Sequence, residues 1–455
     1  MSNIDELKKE RLRKLEDIKK SGINPYPAKS ERTHTCQQAI DNFKDGQEMI
    51  LAGRLRAIRG HGGSVFIHFE DGSGKIQSYL KKDELGEEKY KFFHNNIDIG
   101  DFIEIKGVLF LTKKGEKTLL AKDYKILSKS LVPLPEKWHG IKDVEERFRK
   151  RYLDLIMNKE TKDIFKKRSE IMKKIREFLD DNDFTEVETP ILQPLYGGAS
   201  AKPFKTHLNA LDMDLYLRVA PELYLKRLLV GGYDRVFEIG RCFRNEGMDR
   251  EHNPDFTMLE CYAAYWDWEN LMEFMEKMMH QLDPKVFPKK WDRVEHQDIV
   301  KNNNEKESFA KLKNPTFVLH LPNIPLCKKG EALQGIVNGI ELIKAFTEQN
   351  DPIEQRKAFE GQEVLRKKGD EEAQVLDEDF LEALEYGMPP AAGFGIGIDR
   401  LAILLTEAKS LRESILFPFM RPKEGIGRAL VSFPPRICHS RESGNPGLDS
   451  QSSWE

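Results

Sequence analysis

Residues 235–260 read RVFEIGRCFRNEGMDREHNPDFTMLE, and the architecture turns on this stretch. Val236, Phe237 and Ile239 give the apolar pattern of a half-buried strand. Arg241 and Arg244 follow, Asn245-Glu246-Gly247 is suited to turn the chain, and after His252-Asn253-Pro254-Asp255-Phe256 a second strand resumes through Thr257-Met258-Leu259-Glu260. The spacing predicts a hairpin that gathers a guanidinium, a carboxylate, an imidazole and an aromatic ring near one loop. That inventory suits a nucleotide, because arginine pairs bidentately with phosphate and a ring stacks on a base. A surface hairpin with ordinary charges would carry the same short match, so the surrounding chain has to decide between them.

A chain of 455 residues is expected to form two or three domains, each with its own core. Charged residues make up 33% and the net charge is −3, which excludes a basic nucleic-acid coat and leaves RNA or DNA contact to local patches. No apolar run approaches a membrane span. The N-terminal residues MSNIDELKKERLRKLEDIKK lack the apolar core of an export signal, and the five cysteines (Cys36, Cys242, Cys261, Cys327, Cys438) include no C-x-x-C pair. A reducing cytosol is the expected location, without a zinc knuckle or a disulfide framework.

Residues 1–48 read as a lead-in with a basic helix over 3–20: Ile4, Leu7, Leu15 and Ile18 share one face and lysines and arginines fill the rest. Such a helix either lies along an RNA backbone or caps the next domain. Over 49–145 the period changes to that of strands, with five segments separated by glycine-rich turns and a helical piece, 83–95, after the third. That order is the order of an OB-fold, a small barrel used for single-stranded nucleic acid. Phe66, Arg59 and Gln77, with His68, are the candidates to stack on and read unpaired bases; strand alternation alone leaves Phe66 equally readable as core. Over 146–421, a strongly amphipathic helix (161–179) feeds a strand ending at Pro190, the opening hairpin follows, and a helix covers 268–281. The polar stretch 283–314 reads as an insertion or flexible lid, and 335–348 as a strand pair. Residues 422–455 lack periodicity, are rich in Ser, Gly and Pro, and read as a disordered tail.

Near the end, Gly393-Phe394-Gly395-Ile396-Gly397-Ile398-Asp399-Arg400 is neither a Rossmann nor a Walker loop. It reads as a strand with alternate glycines, leaving one face as bare backbone for a flat ligand, with Arg400 placed to meet a phosphate.

Three segments taken together, RCFRNE at 241–246, GFGIGIDR at 393–400 and the helix–strand–Pro190 unit, resemble motifs 2, 3 and 1 of the class II aminoacyl-tRNA synthetases. Within that class, residues 215–260, GGASAKPF (197–204) and NGIELIKAFTEQNDP (338–352) are similar to lysyl-tRNA synthetases. The resemblance implies an α+β architecture: an N-terminal OB-fold barrel and a catalytic domain built on an antiparallel sheet flanked by helices, homodimeric through motif 1. It implies ATP-dependent attachment of L-lysine to tRNA(Lys) through a lysyl-adenylate, with Mg²⁺ as the metal. Arg244 and Arg400 then act in catalysis, and Arg244, Glu246, His252, Asn253, Phe256 and Arg400 bind ATP. Gly198, Glu222, Glu260, Tyr262, Phe346 and Glu348 bind lysine, with Glu348 and Tyr262 at the ε-amine and Glu222 and Glu260 at the α-amine. Glu341 helps bind Mg²⁺. Two positions depart from the family pattern. Gln334 stands where a metal-binding Glu is usual, which weakens it as a ligand, and Lys344 stands where an Asn near the substrate carboxylate is usual. These departures and the unusual tail leave two rivals in view, a catalytically impaired RNA-binding paralogue and an enzyme that lysylates something other than tRNA.

Overall fold

A computed structural model describes residues 3–135, 141, 143–249, 252–300, 304–322, 324–406 and 408–422. The chain divides into two compact units, Met1–Asp143 and Val144–Glu455. The tail expected after Pro422 lies outside the described residues.

The first unit is a closed barrel of β1 (Glu48–His61), β2 (Ser64–Glu70), β3 (Lys75–Lys81), β4 (Phe102–Leu111) and β5 (Lys117–Ser128), in the order β1-β2-β3-β5-β4. Short helices at Lys82–Leu85 and Glu87–Asn96 separate β3 from β4, as the pattern predicts. Alternation settles the face of β2: Val65, Ile67 and Phe69 enter the core, whereas Phe66 and His68 face outward and are half-buried. Closing so small a barrel forces strands together. At Gly107, where the β4–β5 register shifts, a Cβ would lie 2.2 Å from the Leu120 carbonyl oxygen, so only glycine fits. The helix Asn3–Lys20 buries Leu15 and Ile18, the latter within this core, but leaves Ile4 and Leu7 exposed. Arg11 fastens it by donating to the carbonyls of Ile99 and Ser130. The helix thus packs as a cap on the barrel, with most of its lysines on the exposed side.

The second unit is built on an eight-stranded sheet. Its strands are β6 (Thr185–Glu186), β10 (Arg235–Phe243), β11 (Asp255–Ala264), β12 (Asp292–Glu295), β13 (Thr316–Leu319), β14 (Cys327–Val337), β15 (Ile340–Glu348) and β16 (Ala391–Gly397). They run in the order β12-β13-β14-β15-β16-β11-β10-β6. The inner pairings are antiparallel and the two outermost, β6–β10 and β12–β13, are parallel. A small sheet of β7 (Leu192–Gln193), β8 (Phe204–Leu208) and β9 (Met213–Leu217) stands beside it. Helices Lys159–Asp180 and Trp268–Leu282 cover one face and share its core with Leu259, Cys261, Ile343, Phe394 and Ile396. Asp267 starts the second of these helices with a capping box to Asn270.

The stretch 283–314 is not a lid. Phe287, Trp291 and Phe309 are buried, Trp291 stacks on Phe317 with centroids 4.7 Å apart, and Asp292–Glu295 is the sheet's edge strand. The many Lys, Asn and Glu residues of this stretch hid three aromatic anchors among them. Residues 301–303 within it lie outside the described residues.

Candidate active site

The sheet's second face builds the site by simple alternation. On β11, Leu259, Cys261 and Ala263 go to the core, which leaves Met258, Glu260 and Tyr262 on the other face. On β16, Ala392, Phe394 and Ile396 are core, which places Gly393, Gly395 and Gly397 on the same open face. On β15, Ile343 and Ala345 are core and Lys344 and Phe346 face the opening. The β14–β15 register slips between Gly335 and Ile336, so that Ile336 pairs with Glu341 while Gly335 pairs with Ile343. The extra residue, Leu342, restores Glu341 to the open face, a common use of a bulge beside a site. An Asn338-Gly339 turn, both residues with positive φ (51° and 79°), closes this hairpin. The result is a cavity of about 340 Å³ lined by residues of both motif segments.

The glycine face is less bare than the pattern implies. A Cβ on Gly393 would lie 2.3 Å from the Tyr262 ring and 2.6 Å from Glu348 Oε1, and one on Gly395 would lie 2.8 Å from the Met258 methyl. The first two glycines therefore make room for protein side chains, while Gly397 meets nothing closer than Arg400 Cδ at 3.6 Å.

One cluster in the cavity is cationic. Arg400 stands in the first turn of helix Ile398–Leu405, donates to the Glu341 carbonyl at 2.8 Å and lies 3.4 Å from His252 Nε2. The other nitrogen of His252 faces Asp249 at 2.9 Å. The Arg244 guanidinium lies 5.0 Å from the Phe256 ring centroid, and its buried Nε has no hydrogen-bond partner among the described residues. Asn253 is held by bonds to Asp255, and Glu246 lines the same cavity. Beneath them Asp399 accepts from Arg168 at 2.7 Å and from the Thr257 amide at 2.8 Å, tying the helix bearing Arg400 to β11 and to helix Lys159–Asp180.

The second cluster is acidic and buried. Glu222, in the first turn of helix Glu222–Val230, is 4% exposed, Glu260 3% and Glu348 fully enclosed. Tyr262 donates its hydroxyl to Glu260 at 3.0 Å. Burial, and then the nearby Glu222, push the Glu260 carboxyl up to about 8; burial likewise carries the Tyr262 hydroxyl and the Glu348 carboxyl well above their ordinary values. Lys226 lies among these acids, its Nζ 2.6 Å from Glu222 Oε1, in close contact with Glu348 Oε2 and 5.5 Å from the Phe346 ring centroid. Neither Glu348 oxygen has a hydrogen-bond partner among the described residues, although Oε2 touches Nζ as an ion pair. Gly198 has a positive φ of 85° and brings the backbone against Glu222, where a Cβ would sit 2.8 Å from the Glu222 Cβ.

Gln334 and Lys344 are cross-strand partners on one face of the β14–β15 pair. Lys344 lines the cavity; Gln334 is absent from its lining, and its buried side-chain oxygen has no hydrogen-bond partner among the described residues. Among the described residues no three His, Cys, Asp or Glu side chains converge on a metal position. The cavity instead offers Glu341 beside Arg400, with Glu246 in the same lining. That suits Mg²⁺, which keeps several waters and is commonly held by one or two carboxylates plus substrate phosphates.

In the barrel, Arg59, Phe66 and Tyr79 form one row across three strands. Phe66 and Tyr79 stack at 4.2 Å, and Phe110 approaches Tyr79 at 6.3 Å. Gln77 shares that face but is 8% exposed and donates to Thr118 Oγ1 at 2.9 Å, which leaves less of it to offer a base.

Residues 143–421 match the model of class II tRNA synthetases (D, K and N), and residues 49–127 match that of the OB-fold nucleic acid binding domain. The lysine–tRNA ligase of Carboxydothermus hydrogenoformans is 45% identical over 92% of this chain and 99% of its own length. Those of Pelotomaculum thermopropionicum and Clostridium novyi are 43% and 45% identical, each aligned over 96% of its length. The chain belongs to the lysine–tRNA ligase family of class II synthetases.

The cationic and acidic clusters lie in the unit that matches the class II synthetase model. Three residues of the arrangements described above escaped the sequence pattern. Lys226 looks like one more lysine on a helix, Asp399 like a surface charge after glycines, and Tyr79 like a strand residue of undecided face. Only the last had a usable signal, since it lies two residues from Gln77 on one strand and so shares its face.

Proposed function

We propose that the chain joins L-lysine to tRNA(Lys) in two steps, through lysyl-adenylate. The observation that carries this reading is a single cavity in which buried Glu222, Glu260 and Tyr262 meet Arg244, Arg400 and His252. A lysine ε-ammonium taken out of water needs carboxylates, and a pocket of unpaired acids disfavours neutral analogues. Glu348 and Tyr262 meet across Gly393 and are assigned to the ε-amine; Glu222 and Glu260 are assigned to the α-amine, with Phe346 and Gly198 shaping the pocket.

In the first step a lysine carboxylate oxygen bonds to the α-phosphorus of ATP as the bond to the bridging oxygen breaks and pyrophosphate leaves. In the second, a terminal ribose hydroxyl of the tRNA attacks the lysyl carbonyl, AMP leaves, and the hydroxyl proton is lost. No protein nucleophile is required, so positioning and charge neutralisation carry the rate. Arg244 bridges the lysine carboxylate and the α-phosphate, its unpartnered buried Nε being available to an incoming anion. Arg400 and His252 take the distal phosphates, Phe256 stacks on adenine, and Glu246 and Asn253 contact the nucleotide. Glu341 would hold Mg²⁺, which neutralises phosphate charge when bound. Lys344 lines the same cavity, where an ammonium can pair with the substrate carboxylate.

The outer row of Arg59, Phe66 and Tyr79 is assigned to unpaired bases of the tRNA. A homodimer is proposed through motif 1, the helix–strand–Pro190 unit, which exposed apolar Ile191, Leu192 and Leu195 follow in the chain. A cytoplasmic location fits the unpaired, buried state of Cys36, Cys242, Cys261 and Cys327. No described helix is long and apolar enough to cross a membrane. With the cationic and acidic sets both in the cavity, no feature of it favours the impaired-paralogue reading.

Lysine-dependent exchange of pyrophosphate into ATP tests the proposal. Exchange with lysine is expected in the wild type and abolished in Arg244→Ala, with tRNA binding largely retained. Absence of exchange with lysine at ample Mg²⁺ would sink the reading.

A further inference from the structure

Lys226 has no part in the adenylation scheme, yet like Glu348 it is a fully enclosed charged residue beside the amino-acid pocket. Its Nζ bonds Glu222 Oε1 at 2.6 Å, touches Glu348 Oε2, and reaches the Leu326 carbonyl at 3.5 Å. Glu260, bonded to Tyr262, is the third carboxyl of the same pocket. Two other ionised neighbours balance separately. Arg218 and Glu238 are a buried pair hydrogen-bonded to each other, and Arg244 is reserved for the carboxylate of the substrate. Three carboxyls against one internal ammonium leave the pocket short of two positive charges. Lysine brings two ammonium groups.

We infer that Lys226 is a positioning residue that sets this count: it compensates one of three buried carboxylates, so that the pocket is neutralised by an amino acid with two ammonium groups and not by one with a neutral side chain. The inference rests on the lysine-ligase reading above. Uncompensated charge is costly in a buried site, so the empty pocket makes up its shortfall with protons. Burial alone would lower the Lys226 ammonium, but Glu222 and Glu348 hold it above the ordinary lysine value. Glu260, pushed up to about 8 by burial and bonded to Tyr262, keeps one of these protons near neutrality. Lysine binding is then an exchange of two ammonium groups for up to two protons, and it strengthens as pH rises toward 8. Without Lys226, Glu222 and Glu348 lose the group that orients them and the pocket is short of three positive charges instead of two, so lysine must displace protons from a less favourable start.

The first test uses the wild type. Calorimetric titration with L-lysine near neutral pH, repeated in buffers of different ionisation enthalpy, is expected to report release of more than one proton per lysine bound; release of less than one overturns the inference. The second compares Lys226→Met with Lys226→Arg by pyrophosphate exchange, with thermal unfolding as a check on folding. Lys226→Met is expected to raise the KM for lysine about tenfold or more near neutrality, the cost of a lost buried charge pair. The defect should shrink as pH is raised by about one and a half units, and Lys226→Arg should recover most of it. A KM penalty equal at both pH values, in protein that still unfolds cooperatively, assigns Lys226 to packing and overturns the inference. If Lys226→Met does not fold, the wild-type proton count decides alone. Loss of lysine-dependent exchange in the wild type would strike the ligase reading; normal exchange with no proton release strikes only the role of Lys226.

Discussion

Replacing Gly393 by alanine adds one methyl group where the structure has no room for it. The new Cβ would lie 2.3 and 2.4 Å from two carbons of the Tyr262 ring and 2.6 Å from Glu348 Oε1, all below any ordinary contact. Tyr262 is 3% exposed and Glu348 fully buried, so neither can swing into solvent. Overpacking of this kind costs about 1–3 kcal/mol of stability. The displacement also moves two groups assigned to the ε-ammonium, and loss of one hydrogen bond to a charged group is worth about 1.5–3 kcal/mol. That loss corresponds to a rise of about ten- to hundredfold in the KM for lysine, at 1.4 kcal/mol per factor of ten. The KM for ATP should change far less, because the cationic cluster does not touch Gly393. Pyrophosphate exchange at varied lysine and varied ATP measures both, and urea unfolding measures the stability term. Gly397→Ala, two positions along from Gly395 on the same strand face, meets only Arg400 Cδ at 3.6 Å and should lose little stability. A folded Gly393→Ala protein with an unchanged KM for lysine would refute the assignment of Tyr262 and Glu348.

Asp399→Asn removes the charge that holds Arg168 at 2.7 Å while keeping the shape of the side chain, and should cost about 1–3 kcal/mol in urea unfolding, with a fall in kcat as Arg400 loses its support. Unaltered kcat would separate the two residues. The proton retained by Glu260 has a signed consequence for stability. Below its ordinary value near 4.5 folded and unfolded chains both hold that proton; between there and about 8 only the folded chain does, so this group lowers stability as pH rises through that window. Lysine supplies the missing positive charge, so its protection against thermal unfolding should be greater at about pH 8 than at about pH 6; equal protection would count against it. In the barrel, Phe66→Ala or Tyr79→Ala should weaken tRNA charging by the about 1–3 kcal/mol typical of a base–aromatic stack while leaving pyrophosphate exchange intact. Equal losses in both assays would mean that the pair serves only the barrel.

Much of this molecule is legible in one dimension because its signals are local. The glycine-punctuated strands and the helix after the third mark the barrel, and RCFRNE and GFGIGIDR carry the cationic cluster at spacings that survive any packing. What failed did so for identifiable reasons. The average composition of 283–314 concealed the buried Phe287, Trp291 and Phe309, which anchor it to the rest of the unit. The bare glycine face was half an answer, since alternation reveals which face is empty and not that Tyr262, Glu348 and Met258 fill it from adjacent strands. Phe66 could not be assigned to core or surface until the pleat of β2 was fixed by its pairing with β1 and β3.

The sequence by itself determined the barrel's order of elements and the kinds of side chain brought to the site, because periodicity and turn residues act over a few positions. Tertiary structure alone decided the charge balance of the pocket. Glu222, Glu260 and Glu348 are far apart in the chain and individually look like surface acids. Only when strands and a helix converge do they lose water together, and only then does Lys226, on the same helix as Glu222, become the cation that holds two of them. Desolvation depends on what surrounds a group from every side, and no stretch of sequence contains that.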